Sequence, residues 1–440
     1  MMNNKYYIET YGCQMNVYDS ELVANQLKNI GYKETKSLEN ADVIFLNTCS
    51  IREKAEETVH NKLNNLEYLK KKNPNMIIGV LGCMAQNLKN DLLESKPFVD
   101  VILGPDSYRK IPQIIKNRNK SLDHIVDTKL SKYEVYNDMF PSRKEGINAW
   151  ISIMRGCDKF CTFCIVPFTR GRERSRPISS IKEEVKHAIS NGFVEISLLG
   201  QNVNSYLTPE GDFTYLLEKL AQIEGVKRIR YTSPHPKDIT DELLYVMKKY
   251  DNICNYIHLP LQSGSDRILN RMNRTYNSDE FLNLVNKIKI ILPNCSLSTD
   301  VIVGFPGESK EDFNDTLKVM KIVKFDFAYM FKYSSRPGTK ASQFSDQIEE
   351  KIKQKRLLEL INLQKKTTLD NNVKLIGTVQ DIIIEKKSKK STQYWSGRTE
   401  GNIWTIIKNT GQKIKDQIAV EITGAKGVTL FGKIINFEEG

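Results

Sequence analysis

Six of the eight cysteines fall into two trios. The tight trio, Cys157-Asp-Lys-Phe-Cys161-Thr-Phe-Cys164, is a C-x3-C-x2-C run. The dispersed trio is Cys13, Cys49 and Cys83, with 35 and then 33 residues between them. Three thiolates are one short of a closed metal site. An iron–sulfur cubane held by three cysteines keeps one iron open to an exogenous ligand, so each trio points to a reactive cluster. Structural zinc is the alternative for the tight trio. It needs four ligands, usually as C-x2-C or His pairs, and no partner pair or nearby His accompanies Cys157–Cys164.

The dispersed trio is weak by spacing but strong by context. Each cysteine closes a short apolar run that reads as a strand: Lys5–Cys13, Asp42–Cys49 and Met76–Cys83. Amphipathic helical stretches follow, such as Ser20–Ile30 and Arg52–Leu69. In an open parallel α/β sheet, ligands gather outside the carboxyl ends of the strands, where three thiols can converge. Ordinary buried cysteines ending strands are the alternative, and they predict no such repetition.

The elements that must position these residues divide the chain in three. Residues 1–140 alternate strand and helix, the pattern of a small Rossmann-like parallel sheet. A polar stretch, Tyr133–Gly146, reads as a linker. Residues 147–370 carry six strand-like runs at 149–155, 193–200, 227–232, 254–260, 296–303 and 326–333, with helices between them. Ser180-x-x-Glu183 has capping-box form, and Asn191-Gly192 ends the same helix. Six βα units make a partial (βα)6 barrel, short of the eight of a closed one. A lone amphipathic helix over 344–370 trails it. Residues 371–440 turn β-rich, with runs Thr378–Glu385, Tyr394–Trp395, Ile403–Lys408 and Gln417–Thr423, and suggest a small all-β barrel.

The chain has 440 residues, 40% of them apolar and 27% charged, which fits two or three ordinary domains. It enters its first strand directly, with no secretory signal in view and no apolar run near the ~20 residues of a membrane span. A cytoplasmic protein with free thiols is expected. The net charge of +12, carried by 48 Lys and 17 Arg, points weakly to an acidic partner, nucleic acid first. The tail 371–440 has 11 basic and 7 acidic residues. Its run Lys386–Lys390, followed by Tyr394 and Trp395, suits either a phosphate-contacting loop beside stacking aromatics or a solvated hairpin tip.

In the six-strand reading, the motif-like residues gather at strand C-termini, the face where barrel active sites lie. Cys157–Cys164 follow the first strand, Gly200–Asn204 the second, Thr232–Pro236 the third, His258–Asp266 the fourth and Gly304–Glu308 the fifth. His235 and His258 read as hydrogen-bonded structural imidazoles. Cys254 and Cys295 read as buried strand thiols.

The C-x3-C-x2-C run after a first barrel strand resembles the signature of the radical S-adenosylmethionine (SAM) superfamily. The stretches Tyr11–Asn16, Asn47–Glu57, Arg155–Gly171, His258–Asp266 and Ser298–Glu308 resemble those of its methylthiotransferases, over essentially the whole chain. The resemblance implies an N-terminal methylthiotransferase domain (1–140), a radical SAM core with its trailing helix (147–370) and a TRAM RNA-binding barrel (371–440). It implies two [4Fe–4S] clusters, one on Cys157, Cys161 and Cys164 that also binds SAM, and an auxiliary one on Cys13, Cys49 and Cys83. Gly200, Gln201, Asn202, Gln262, Ser263, Asp300 and Gly304 are the SAM contacts it implies; no protein side chain is assigned as a catalytic residue. Arg170, Arg172, Arg174 and Arg176 are expected to meet RNA phosphates or to pair locally.

The implied reaction is methylthiolation of carbon 2 of N6-isopentenyladenosine beside the anticodon of tRNA. SAM serves there as radical source and methyl donor, and a low-potential donor such as flavodoxin or ferredoxin supplies electrons. The alternatives are N6-threonylcarbamoyladenosine in tRNA, an aspartate on a ribosomal protein, or a non-catalytic RNA-binding protein with structural clusters.

Overall fold

The computed structural model describes residues 4–49, 53–118 and 123–435. Six parallel strands build the first body, in the spatial order Lys33–Glu34, Lys5–Thr10, Val43–Thr48, Ile77–Gly82, Val101–Leu103 and Ile125–Asp127. Val43–Thr48 and Ile77–Gly82 are buried at every position, as central parallel strands covered on both faces must be. Alternate residues serve opposite faces: Val43 and Phe45 meet the helix Gln14–Asn29, whereas Ile44 and Leu46 meet Glu53–Lys72. The strand order reverses beside Lys5–Thr10. The crevice between its end and that of Val43–Thr48 is therefore a topological switch point.

The second body is a curved sheet of two three-stranded parallel ladders. One contains Asn148–Ser152, Glu195–Leu199 and Arg228–Tyr231; the other contains Tyr256–His258, Ser296–Val303 and Phe327–Lys332. A bridge from Ile229 to Ile253 stitches them together. All six strands lie where the sequence predicts them. No ladder among the described residues joins the first strand to the sixth, so the barrel is partial. The expected capping box at Ser180 is absent, because the helix begins earlier, at Ile178 after Pro177. The Ser180 hydroxyl instead accepts from Arg176 at 2.8 Å and donates to the Asn137 carbonyl.

The helix Glu350–Lys374 packs on Phe327–Lys332 and leads into a closed five-stranded barrel. Its strands are Val379–Lys387, Tyr394–Thr399, Trp404–Lys408, Gln417–Lys426 and Thr429–Ile434. The last of these, Thr429–Ile434, lies outside the sequence expectation. This barrel plugs the foot of the partial one. Arg228 donates to the Asp381 carbonyl, and Arg230 to those of Thr399 and Glu400, at 2.7–2.8 Å. Glu195 takes ion pairs from Arg230 and Arg398 at 3.0 and 2.9 Å. Burial opposes its charge, but the two guanidiniums outweigh it and hold the carboxyl below its ordinary range.

The first and second bodies meet through buried charge. Asp19 is fully buried and accepts from Arg155 at 2.7 Å and from Arg170 at 2.9 Å. Asp106 pairs with Arg174 at 3.0 Å, and the Tyr18 hydroxyl of the first body enters the Arg176–Glu184 pair of the second, accepting from Arg176 at 3.1 Å and donating to Glu184 at 3.2 Å. The stretch read as a linker takes part in this interface. Tyr136 is buried, stacks on Tyr108, donates to the Pro105 carbonyl at 2.9 Å and lies under the Arg155 guanidinium. Removing one partner of such a network strands the others in a low-dielectric interior. Asp19→Ala is accordingly expected to cost about 3–5 kcal/mol, read as a lowered urea midpoint, whereas Arg172→Ala on the surface leaves the midpoint unchanged.

Candidate active site

The tight trio sits on a loop held from three sides. Its base is the short antiparallel pair Met154–Arg155 with Arg174–Ser175. Gly156 turns the chain there at φ +82, and a Cβ on it would lie 2.0 Å from the Arg172 carbonyl oxygen. The Cys157 amide donates to Gly171 at 3.1 Å, and the Cys164 amide to Cys161 at 2.9 Å. Lys159 pairs with Asp238 at 2.6 Å, and Asp238 accepts from Asn202 at 3.0 Å, which fastens the loop to the ends of strands two and three. Thr162 donates from its amide to Met272 and from its hydroxyl to Arg271 at 3.0 and 2.8 Å. Arg274 adds a contact that no spacing rule signals: its guanidinium donates to Cys161 Sγ at 3.4 Å.

Burial pushes the Cys157 thiol up to about 11 and the Cys164 thiol to about 12. Free, these groups are neutral at ordinary pH, so metal binding must displace their protons. Beside them opens a cavity of about 560 Å³ lined by Phe160, Cys161, Cys164, Phe168, Arg271 and Lys340. Among the described residues, no three His, Cys, Asp or Glu side chains converge closely enough for a single metal ion. That is the demand a zinc site would make, whereas the thiolates of a cubane bind different irons.

The residues expected to contact SAM ring the same face, with unequal freedom. Gln201 Oε1 is buried without a hydrogen-bond partner among the described residues, an open acceptor that a bound group can satisfy. Gln262 turns at φ +66, its amide donating to Asp300 O at 2.8 Å. The Asp300 carboxylate takes His258 Nε2 at 3.2 Å. Gly200 and Gly304 are buried in the turns after strands two and five. Asn202 and Ser263 are buried and already committed, Asn202 to Asp238 and the His235 amide, and Ser263 to Thr316 and the Ser265 amide. His235 accepts at Nδ1 from the Lys237 amide. Burial, with Arg274 and Lys159 nearby, drops its pKa to about 3, so it stays neutral, as a structural imidazole.

The dispersed trio lies along one edge of the first sheet. Cys13, Cys49 and Cys83 follow three adjacent strands. Cys13 N-caps the helix Gln14–Asn29, and Cys83 opens Cys83–Leu88. Gly12 turns at φ +121, where a Cβ would strike the Cys49 Cβ at 2.5 Å and approach its Sγ at 3.2 Å. Two asparagines of the Tyr11–Asn16 and Asn47–Glu57 stretches tie the loops. Asn16 donates to Thr48 O at 2.9 Å and accepts from Cys13 Sγ at 3.4 Å. Asn47 donates to Asn16 O and Ser20 Oγ at 2.8 and 2.9 Å.

The arginine-rich stretch requires a correction. Arg170, Arg174 and Arg176 are buried and bound to Asp19, Asp106 and Glu184, so they serve the interior rather than RNA. Arg172 alone is exposed, paired with Asp158. Trp395 is likewise packed in the C-terminal barrel core, which leaves Tyr394 exposed beside the Lys386–Lys390 hairpin tip. Cys254 is buried, and Cys295 only half so.

Comparison with known proteins agrees with this geometry. Residues 5–104 match uncharacterized protein family UPF0004, residues 151–320 the radical SAM superfamily and residues 373–435 the TRAM domain. A tRNA-2-methylthio-N(6)-dimethylallyladenosine synthase of Christiangramia forsetii is 46% identical over 99% of this chain and 95% of its own. One of Bacteroides fragilis is 45% identical over 98% and 96%. The chain belongs to this family of radical SAM methylthiotransferases. Among solved structures, the radical SAM methyltransferase TsrM from Kitasatospora setae shares the fold, at TM-score 0.60 and 11% identity over 78% of this chain and 77% of that one.

Within this family member, the turn at Gly156 decides where Cys157 points. Gly156→Ala is expected to lower the iron that anaerobically reconstituted protein binds, as iron analysis would read.

Proposed function

We propose that this chain methylthiolates carbon 2 of N6-isopentenyladenosine beside the anticodon of tRNA, in the cytoplasm, using SAM as both radical source and methyl donor. The reading is supported by the placement of two cysteine trios after strand ends, in a chain whose nearly full-length relatives bear that activity in their names. Cys157, Cys161 and Cys164 would hold the [4Fe–4S] cluster that binds SAM, and Cys13, Cys49 and Cys83 the auxiliary one. When bound, these groups supply the electron that opens SAM to a carbon radical and the site from which sulfur is delivered.

The chain's own residues position and shield. Lys159, Thr162 and Arg274 fix the loop whose cysteines would hold the cluster. Gln201, Gln262 and Asp300 would contact SAM. On the sixth strand, Phe327, Tyr329 and Phe331 alternate with the packed Ala328 and Met330, and Tyr329 meets the ring of His258 edge-on. Those three rings offer a flipped base a stacking surface inside the open barrel. The exposed Tyr394 and the lysines of the C-terminal barrel would track the tRNA backbone, and a flavodoxin or ferredoxin would supply electrons.

Two measurements test this. Reconstituted protein should carry about eight irons, falling to about four in Cys157/Cys161/Cys164→Ala and in Cys13/Cys49/Cys83→Ala. Loss of no iron from the second variant reduces the chain to a one-cluster radical SAM protein. A nucleoside digest of tRNA from a deletion strain should lack 2-methylthio-N6-isopentenyladenosine. Loss of the threonylcarbamoyl product instead would reassign the substrate.

A further inference from the structure

Arg170 ends the short helix Val166–Arg170 that follows Cys164, yet its guanidinium reaches into the first body. Nη2 donates to Asp19 Oδ2 at 2.9 Å and to Asn16 Oδ1 at 3.3 Å. The same Asn16 oxygen accepts from Cys13 Sγ at 3.4 Å, so one acceptor joins the guanidinium and a thiol of the dispersed trio. The helix opened by Cys83 packs against Val166–Arg170.

Nη1 is different. It completes no well-formed hydrogen bond among the described residues, with the Cys83 side chain as a neighbour of the guanidinium, although Arg170 is only 3% exposed. A buried guanidinium N–H without an acceptor costs free energy and calls for a further group. Cluster sulfides and thiolates accept hydrogen bonds, and such bonds help set a cluster's potential.

We propose that Arg170 is a positioning residue of the auxiliary cluster, donating from Nη1 to a sulfur of the group held by Cys13, Cys49 and Cys83, and so tying that cluster to the Cys157–Cys164 loop. The inference rests on the two-cluster reading above. A cation that donates to cluster sulfur favours the state with the extra electron. Arg170 therefore raises the midpoint potential of that cluster and leaves its iron content intact. Asp19 sets the direction of the fork by holding Nη2.

The test uses the full-length chain carrying Cys157/Cys161/Cys164→Ala, so that one cluster remains. It is titrated with dithionite, which gives the cluster one electron per reduced centre while no bond to the protein changes, and the reduced signal is followed by electron paramagnetic resonance. Arg170→Gln is expected to lower the reduced-to-oxidised ratio at fixed potential about tenfold, ~59 mV for a one-electron couple. Arg170→Lys, which keeps the charge but not the planar fork, should shift it less and in the same direction. Arg174→Gln, in the same buried network but paired with Asp106, should leave the midpoint in place.

An unmoved potential in iron-replete Arg170→Gln overturns the proposal, as does an equal shift in Arg174→Gln, which would mean general loosening of the interface. If Arg170→Gln loses its iron, Arg170→Lys is read alone, and an unmoved midpoint there overturns it equally. Absence of iron in the parent variant would instead overturn the two-cluster reading on which the proposal stands.

Discussion

Asp19 is a fully buried carboxylate between the guanidiniums of Arg155 and Arg170. Taking ions out of water costs several kcal/mol each, and only close, hydrogen-bonded geometry offsets it. The arrangement thus tolerates little displacement. Asp19 rides on the helix capped by Cys13, Arg155 precedes Gly156 and Cys157, and Arg170 ends the helix after Cys164. One carboxylate consequently sets the position of one cysteine trio relative to the other. Asp106 and Glu184 repeat the device on either side, and Tyr136 covers it.

Both trios use the same local construction. Cys13, Cys83 and Cys157 each follow a glycine at positive φ, at +121, +90 and +82. A residue with a Cβ cannot make these turns without striking neighbouring chain. Each turn takes the backbone from a strand end into a helix or a tight loop and leaves the thiol at the sheet's carboxyl edge, where both bodies open their crevices. The third body works from the opposite end. By accepting from Arg228 and Arg230 it closes the foot of the partial barrel, and among the described residues no strand pairs with the outer edge of Phe327–Lys332.

The amino-acid sequence by itself determined the two cysteine trios at strand ends, the three-body order and the six strands of the middle body. Those signals are local: cysteine spacing, apolar runs and the turn residues that bound them. It also carried the motifs that resemble the family. What only the tertiary structure decided is which polar residues are consumed in the interior. Arg170, Arg174 and Arg176 look from their spacing like a basic RNA-facing loop, and only the arrival of Asp19, Asp106 and Tyr18 from elements distant in the chain buries them. The same holds for Trp395, drawn into a barrel core, for Ser180, diverted from a cap to Arg176, and for Arg274 against Cys161. The physical reason is common to all of them. A charge or hydroxyl carries no mark in the sequence of whether water or a distant partner will satisfy it, because that is fixed by packing between elements.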